Sequence, residues 1–347
     1  MSNKLFEIQD VIRTNISSLK PYSSARDEYS GEAMVFLDAN ENPFNSPYNR
    51  YPDPLQRELK EKIEKIKHCP INQIFLGNGS DEPIDLVLRA FCNPGIDNII
   101  TVDPTYGMYQ VAADINQVEV RKATLTSDFK LDTELVLSKI DQNTKVIFLC
   151  SPNNPSGNLL ENEEIKKIIK AFHGLVVVDE AYIDFSPDAS LLSELGMYPN
   201  LIILQTFSKA WGMAGIRLGM AFASPEIISI FNKIKYPYNI NILTQQKALE
   251  LLDKEQEKHE WVDLLLIERE RVAKVLSTIP EVKKVYHSDS NFLLVKMKDA
   301  HKTYNKLVEK GVIVRDRSKI TLCDDCLRIT IGTNEENDIL LKEISEF

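Results

Sequence analysis

Lys209 lies in Thr206-Phe207-Ser208-Lys209-Ala210, directly after the apolar run Leu201-Ile202-Ile203-Leu204, and Arg217 follows eight residues later. A strand running into Ser-Lys, with an arginine one short loop away, holds an amine nucleophile within reach of a bound phosphate. A pyridoxal 5'-phosphate (PLP) Schiff-base lysine needs that arrangement. By default a lysine after a strand is a solvated surface group, so a second signal is required. Leu175-Val176-Val177-Val178-Asp179-Glu180-Ala181-Tyr182 supplies it: a β-branched run of buried-strand type that ends in an acid. In open α/β sheets ligands bind outside the carboxyl ends of the strands, which puts Asp179 and Lys209 on one crevice. A carboxylate there can keep a pyridine nitrogen protonated, and the protonated ring is an electron sink. The plainer role for Asp179 is a helix cap.

A third strand, Lys145-Val146-Ile147-Phe148-Leu149-Cys150, enters Ser151-Pro152-Asn153-Asn154-Pro155-Ser156-Gly157, a turn dense in proline, asparagine and glycine. Asn154 is thereby a fixed amide donor suited to a phenolate oxygen. A fourth element, Ile74-Phe75-Leu76, passes through Gly77-Asn78-Gly79-Ser80-Asp81 into the periodic positions Ile84, Leu88 and Phe91. Backbone N–H groups at Ser80 and Asp81, with the positive end of the helix dipole, make an anion site that Ser208 and Arg217 complete. The Walker pattern is absent, and Gly-x-Gly by itself is a weak dinucleotide signal.

Strands near 74, 99, 119, 146, 175, 201 and 217 alternate with amphipathic segments, such as the face traced by Leu55, Leu59, Ile63 and Ile66, and predict a parallel-rich sheet with helical crossovers. From about 245 to 279 a long, mostly helical stretch leads into 291–295, 312–314 and 327–329, which read as a smaller sheet. The expected organisation is an α/β fold. Residues 1–44 form an N-terminal arm and a segment packing with the small domain. Residues 45–245 form a large domain with a mostly parallel seven-stranded sheet flanked by helices, and 246–347 a smaller C-terminal α/β domain.

The chain has 347 residues, 43% of them hydrophobic, a net charge of -10 and five cysteines. No basic stripe interleaved with aromatics offers a footprint for nucleic acid. No apolar run is long enough for a bilayer span or a signal h-region, and so few cysteines do not suggest a disulfide framework. The expectation is a cytoplasmic enzyme with no nucleic-acid or membrane partner.

These motifs, with Asp103-Pro104-Thr105-Tyr106, Tyr51-Pro52-Asp53-Pro54, Pro21-Tyr22-Ser23-Ser24-Ala25-Arg26, Asn40-Glu41-Asn42-Pro43, Ala214-Gly215-Ile216-Arg217-Leu218-Gly219, Val314-Arg315-Asp316 and Leu327-Arg328-Ile329-Thr330, resemble the fold-type I PLP-dependent aminotransferases over essentially the whole chain. Within them the pattern looks like the branch that acts on L-histidinol phosphate. The resemblance implies that Lys209 forms the Schiff base and shuttles the proton, that Asp179 pairs with the pyridine nitrogen, and that Asn154 and Tyr182 donate to the ring oxygen. It further implies that Tyr106 stacks on the ring and that Ser80, Asp81, Thr206, Ser208 and Arg217 hold the cofactor phosphate. Tyr51 matches a tyrosine reaching that phosphate from the other subunit of a homodimer. Arg328 matches the arginine for the α-carboxylate, and Tyr22, Arg315 and Asn154 match residues that meet the substrate. The implied reaction joins L-histidinol phosphate and 2-oxoglutarate to give imidazole-acetol phosphate and glutamate, by a ping-pong route through pyridoxamine phosphate. An arginine fork can take a carboxylate or a phosphate monoester, which suits one pocket with two substrates.

Two departures stand out. Trp211 occupies a position where the family has phenylalanine or tyrosine. Cys323-Asp324-Asp325-Cys326 reads as a redox pair or half a zinc site, but there is no second cysteine pair and His287 and His301 lie outside ligand spacing, so no metal is expected. Rival functions on the same scaffold are an aromatic amino-acid transaminase and a threonine-phosphate decarboxylase. A PLP-binding regulator is more distant, because residues 1–35 are too short for a DNA-binding module.

Overall fold

The computed structural model describes residues 6–22 and 35–346. Seven strands form the large sheet: β1 (Ile74–Asn78), β2 (Asn98–Asp103), β3 (Glu119–Thr124), β4 (Thr144–Cys150), β5 (Leu175–Asp179), β6 (Leu201–Thr206) and β7 (Leu218–Phe222). Their order is β1-β7-β6-β5-β4-β2-β3. Strands β6, β5, β4, β2 and β3 run parallel, whereas β7 is antiparallel to both β6 and β1. The mostly parallel seven-stranded sheet expected from the sequence is present. Strands β4 to β6 are near-continuous Val, Ile and Leu because both faces are covered.

One face of that sheet (Ile100, Ile147, Val176, Ile203) packs against α1 (Arg57–Lys67) and α5 (Asn162–Ala171). The other (Ile99, Phe148, Val177, Ile202) packs against α2 (Asp81–Phe91), α3 (Met108–Ile115) and α6 (Pro225–Ile234). Helix α4 (Thr133–Ser138) joins β3 to β4. Leu55 precedes α1, whose face is Leu59, Ile63 and the partly buried Ile66.

The β5–β6 crossover departs from the expected helix. It is built of 3-10 turns. Buried Glu180 holds it, accepting from Ser190 Oγ at 2.7 Å, Leu191 N at 2.8 Å and Gln205 Nε2 at 2.8 Å. Of the expected arm 1–44, the described turns Ile8–Val11 and Thr14–Ser17 lie against α2, where Arg13 N donates to Ala90 O at 3.0 Å, rather than against the small sheet.

The helical stretch is two helices, α7 (Ile242–Leu252) and α8 (Glu255–Leu276). The small sheet is antiparallel, in the order β10-β11-β9-β8, with β8 (Val282–Val285), β9 (Phe292–Met297), β10 (Arg315–Asp316) and β11 (Cys326–Thr330). It packs against α8, α9 (Ala300–Glu309) and α10 (Asn334–Ser345). Residues 312–314 are not the expected strand. Gly311, at φ +77, ends α9, and Val312 N is drawn back to Leu307 O at 2.8 Å, so pairing starts only at Arg315.

Candidate active site

Strands β4, β5 and β6 end side by side, with Cys150 in register with Asp179 and Asp179 with Leu204. Their chain continuations converge. Ser80, Asp81, Tyr106, Asn154, Asp179, Tyr182, Thr206, Ser208, Lys209 and Arg217 line one pocket there. All ten were candidates from sequence.

Lys209 is held in a turn whose Met213 N donates to Phe207 O, while Phe207 and Trp211 are buried edge to face at 5.6 Å. The larger Trp211 ring therefore keeps the apolar anchoring role. Burial, and next Arg328, push the Lys209 ammonium below its ordinary range. Its Nζ lies 5.5 Å from the centre of the Tyr182 ring.

Asp179 is 2% exposed. Its Oδ2 accepts from Tyr109 Oη at 2.6 Å and its Oδ1 from Ala181 N at 3.1 Å. Burial pushes the carboxyl up to about 6, against the opposing pull of those two bonds. Neither donor is a cation, and among the described residues no cation is within ion-pair distance of this acid; Lys209 acts on it only from farther off in the pocket. Tyr109 was not singled out from sequence. The available signal was its position three residues after Tyr106, on the first turn of α3. Tyr109 stacks on Phe148 at 4.8 Å and meets Tyr106 edge-on at 5.6 Å, so it links the bonded acid to the wall of the pocket. Replacing Tyr109 by phenylalanine removes a donor from the carboxylate, and the expected result is a further rise of the Asp179 pKa. The check is the pH dependence of cofactor-free stability, whose decline should continue above pH 6 in the variant.

The anion cup forms where β1 ends beside the start of β7. Gly79 N donates to Arg217 O at 3.0 Å, and Thr206 pairs with Gly219. A Cβ on Gly219 would sit 2.3 Å from both Gly79 C and Ser80 N, so a glycine there lets the loop close on the strand. A Cβ on Gly79 would fill the cradle, 2.7 Å from Arg217 Nη2. Thr206 Oγ1 accepts from Ser208 N at 3.1 Å and orients the hydroxyl of Ser208. Asp81 accepts from Tyr106 Oη at 3.1 Å and faces Arg217 at 3.5 Å. The α2 N-terminus and Arg217 suit an anion, while the Asp81 carboxylate does not, which leaves its backbone N–H as the useful group.

Across the pocket, Arg328 on β11 donates from Nη1 to Asn154 Oδ1 at 2.6 Å and stands 5.3 Å from the Phe292 ring centre. A guanidinium only donates, so the Asn154 oxygen is taken and its NH2 remains to face a ligand. Arg315 is the direct cross-strand partner of Arg328.

Arg328 reaches the pocket through Asn154, while three expected residues, the exposed Arg315 among them, do not line it. Tyr51, 51% exposed, stacks on Tyr238 at 4.4 Å, and Tyr22, 72% exposed, ends a described stretch. Ser23 to Arg26 of the Tyr22 motif lie outside the described residues. Cys323 and Cys326 are buried free thiols, pushed by burial up to about 12 and about 11. No helix among the described residues is long and apolar enough to cross a membrane.

The aminotransferase class I and II family model matches residues 33–344. The chain is 61% identical over 335 residues to histidinol-phosphate aminotransferase from Parabacteroides distasonis, covering 96% of this chain and 97% of that one. The crystal structure of histidinol-phosphate aminotransferase from Clostridium acetobutylicum superposes with a TM-score of 0.80 at 27% identity, over 86% of this chain and 90% of the other. A similar fold, with a TM-score of 0.79 at 22% identity, belongs to the Sinorhizobium meliloti histidinol-phosphate aminotransferase in complex with pyridoxal-5'-phosphate, over 86% and 82% of the two chains.

Proposed function

The chain belongs to the aminotransferase class I and II family, and from that premise we propose that it transfers the amino group of L-histidinol phosphate to 2-oxoglutarate with PLP as its cofactor. The products are 3-(imidazol-4-yl)-2-oxopropyl phosphate and L-glutamate. One observation carries the reading: a buried acid whose hydrogen-bond donors are all neutral and a desolvated lysine amine share a pocket with an anion cup at one side and arginine at the other. The substrate rests on the relatives that share more than half of their residues with this chain over nearly its full length.

The residues fit PLP. A protonated pyridine nitrogen would be a cationic donor to Asp179, whose present donors are neutral, and a phosphate is the anion that Arg217, Ser208 and the α2 N-terminus are arranged to take. When bound, PLP supplies the sink for the electron pair released as the substrate's α-carbon loses its proton. Asp179 holds the proton on the ring nitrogen. Tyr182 and Asn154 donate to the ring oxygen, Tyr106 covers the ring face, and Ser80, Asp81 and Thr206 complete the cup. Lys209 anchors the cofactor through Nζ. When free of the cofactor, Nζ would take the α-proton and return it one position away, and the downward push on its pKa favours the neutral amine that this work needs. Arg328, with Arg315 and Tyr22, binds the anionic end of either substrate. In this reading the enzyme is a cytoplasmic homodimer, and Tyr51 of the partner subunit reaches the cofactor phosphate.

The test is the absorbance of PLP-loaded protein mixed separately with L-histidinol phosphate, L-phenylalanine and O-phospho-L-threonine, without keto acid. Conversion of the bound cofactor to its amine form by histidinol phosphate alone is expected. A response to phenylalanine alone would move the function to aromatic transamination. Carbon dioxide release from phosphothreonine would move it to decarboxylation. Arg328→Ala is expected to lower kcat/KM by roughly 10²- to 10³-fold in both half-reactions, since truncating one partner of a buried charge pair costs about 3–4 kcal/mol. Stopped-flow rates with histidinol phosphate and with glutamate check it.

A further inference from the structure

The β10–β11 ladder places arginines where a sheet ordinarily avoids like charges. Arg315 is paired directly with Arg328, and Arg317 N donates to Cys326 O at 2.8 Å, which carries the antiparallel register one step on. Residues two apart on a strand share a face, so Arg317 is on the face of Arg315 and is the diagonal neighbour of Arg328. Asp316 projects to the opposite face, where it accepts from Ser318 N and meets His301. Like charges directly opposite are unfavourable, and three on one face are more so.

Among the described residues no carboxylate pairs with any of the three. The Nε atoms of both Arg317 and Arg328 are buried without a hydrogen-bond partner, although Arg328 is anchored through Nη1 to Asn154 at the pocket's edge. Burial and the neighbouring Arg328 and Arg315 depress the Arg317 guanidinium, which also feels Tyr182 on the pocket wall. Two partly buried, unneutralised guanidiniums beside the exposed Arg315 are unfavourable together and become favourable around an anion.

The charge on the single group that the arginines bind separates the two substrates. A carboxylate carries one charge and is satisfied by one planar fork. A phosphate monoester carries roughly -1.5 to -2 at neutral pH on three strong acceptor oxygens. We infer that Arg317 is a specificity-determining residue, the third guanidinium that lets this pocket bind the dianionic phosphate monoester of its amino donor in preference to the monoanionic carboxylate of glutamate. The inference rests on the function proposed above.

Arg317→Gln and Arg317→Lys holoenzymes would be compared with the unaltered enzyme in each half-reaction. For Arg317→Gln the expected result is a roughly 10- to 100-fold loss in kcat/KM for L-histidinol phosphate, carried mainly by KM, the size expected for hydrogen bonds to a charged group. The glutamate half-reaction should fall by no more than about threefold. Lysine, a point charge without the fork, should restore part of the loss. Equal losses in both half-reactions, a larger loss with glutamate, or no loss would overturn the inference. Inorganic phosphate as a competitor of glutamate separates the inference from the reading beneath it. If the unaltered enzyme does not turn over histidinol phosphate, the substrate reading fails. Arg317 is then judged by whether the inhibition constant for phosphate rises about tenfold or more in Arg317→Gln, and an unchanged constant overturns the inference.

Discussion

Lys209→Ala is expected to lower multiple-turnover transamination by at least about 10⁴-fold, while the protein folds and still takes up PLP. The loss is that large because the one amine both anchors the cofactor and moves the α-proton, and general acid–base action alone is worth roughly 10²- to 10⁴-fold. The fold should survive. The backbone of Lys209 is held by its turn, the anchoring burial is that of Phe207 and Trp211, and removing the ammonium relieves a desolvated charge. Steady-state turnover, with an absorbance spectrum of the PLP-loaded variant, decides the matter. Turnover at the unaltered rate would remove Lys209 from the mechanism.

Asp179→Asn is expected to move activity and stability in opposite directions. An amide cannot balance a protonated ring nitrogen, so kcat should fall by roughly 10³-fold, the cost of losing a preorganised electrostatic partner in a buried site. The cofactor-free protein should become more stable. Burial raises the folded carboxyl from 3.8 to about 6, so between about pH 4 and pH 6 the folded state keeps a proton that the unfolded state has released. Stability therefore falls as pH rises through that window and stays low above it, by on the order of 2–3 kcal/mol. Asparagine removes that slope, and the Tyr109 hydroxyl can rotate to accept from the amide. The measurement is the thermal midpoint of cofactor-free protein from pH 4 to 8. The variant should gain most above pH 6, and PLP should narrow the gap by stabilising the unaltered protein. A variant with the same pH slope as the unaltered protein would show that Asp179 is not the titrating group.

The large sheet was legible because its strands, except the polar edge strand β3, are runs of apolar or β-branched residues ending in polar, glycine or proline signals, and alternation with amphipathic segments implies parallel pairing. The small sheet was less so. Strand β8, with Lys283 and Lys284 exposed between Val282 and Val285, is an edge strand without an apolar run. Residues 312–314 have the right composition for a strand, yet they close α9 instead, since hydrogen bonding at a helix end competes for the same backbone groups.

Nine of the ten candidates that line the pocket could be found from sequence because each ends or follows a strand, and chain topology brings those ends together, while Arg217 stands just ahead of β7, beside the end of β1. The chain by itself determined which elements form and which reactive groups sit at their ends, through local periodicity and turn chemistry. Only the tertiary structure decided which groups meet across long separations. The Tyr109–Asp179 bond joins residues 70 apart and the Arg328–Asn154 bond residues 174 apart, and neither leaves a local pattern. It also decided that Asp179 is buried with only neutral hydrogen-bond donors and that Arg317 stands beside Arg328. Burial and cross-strand register set charge balance, and both exist only once the sheets have formed.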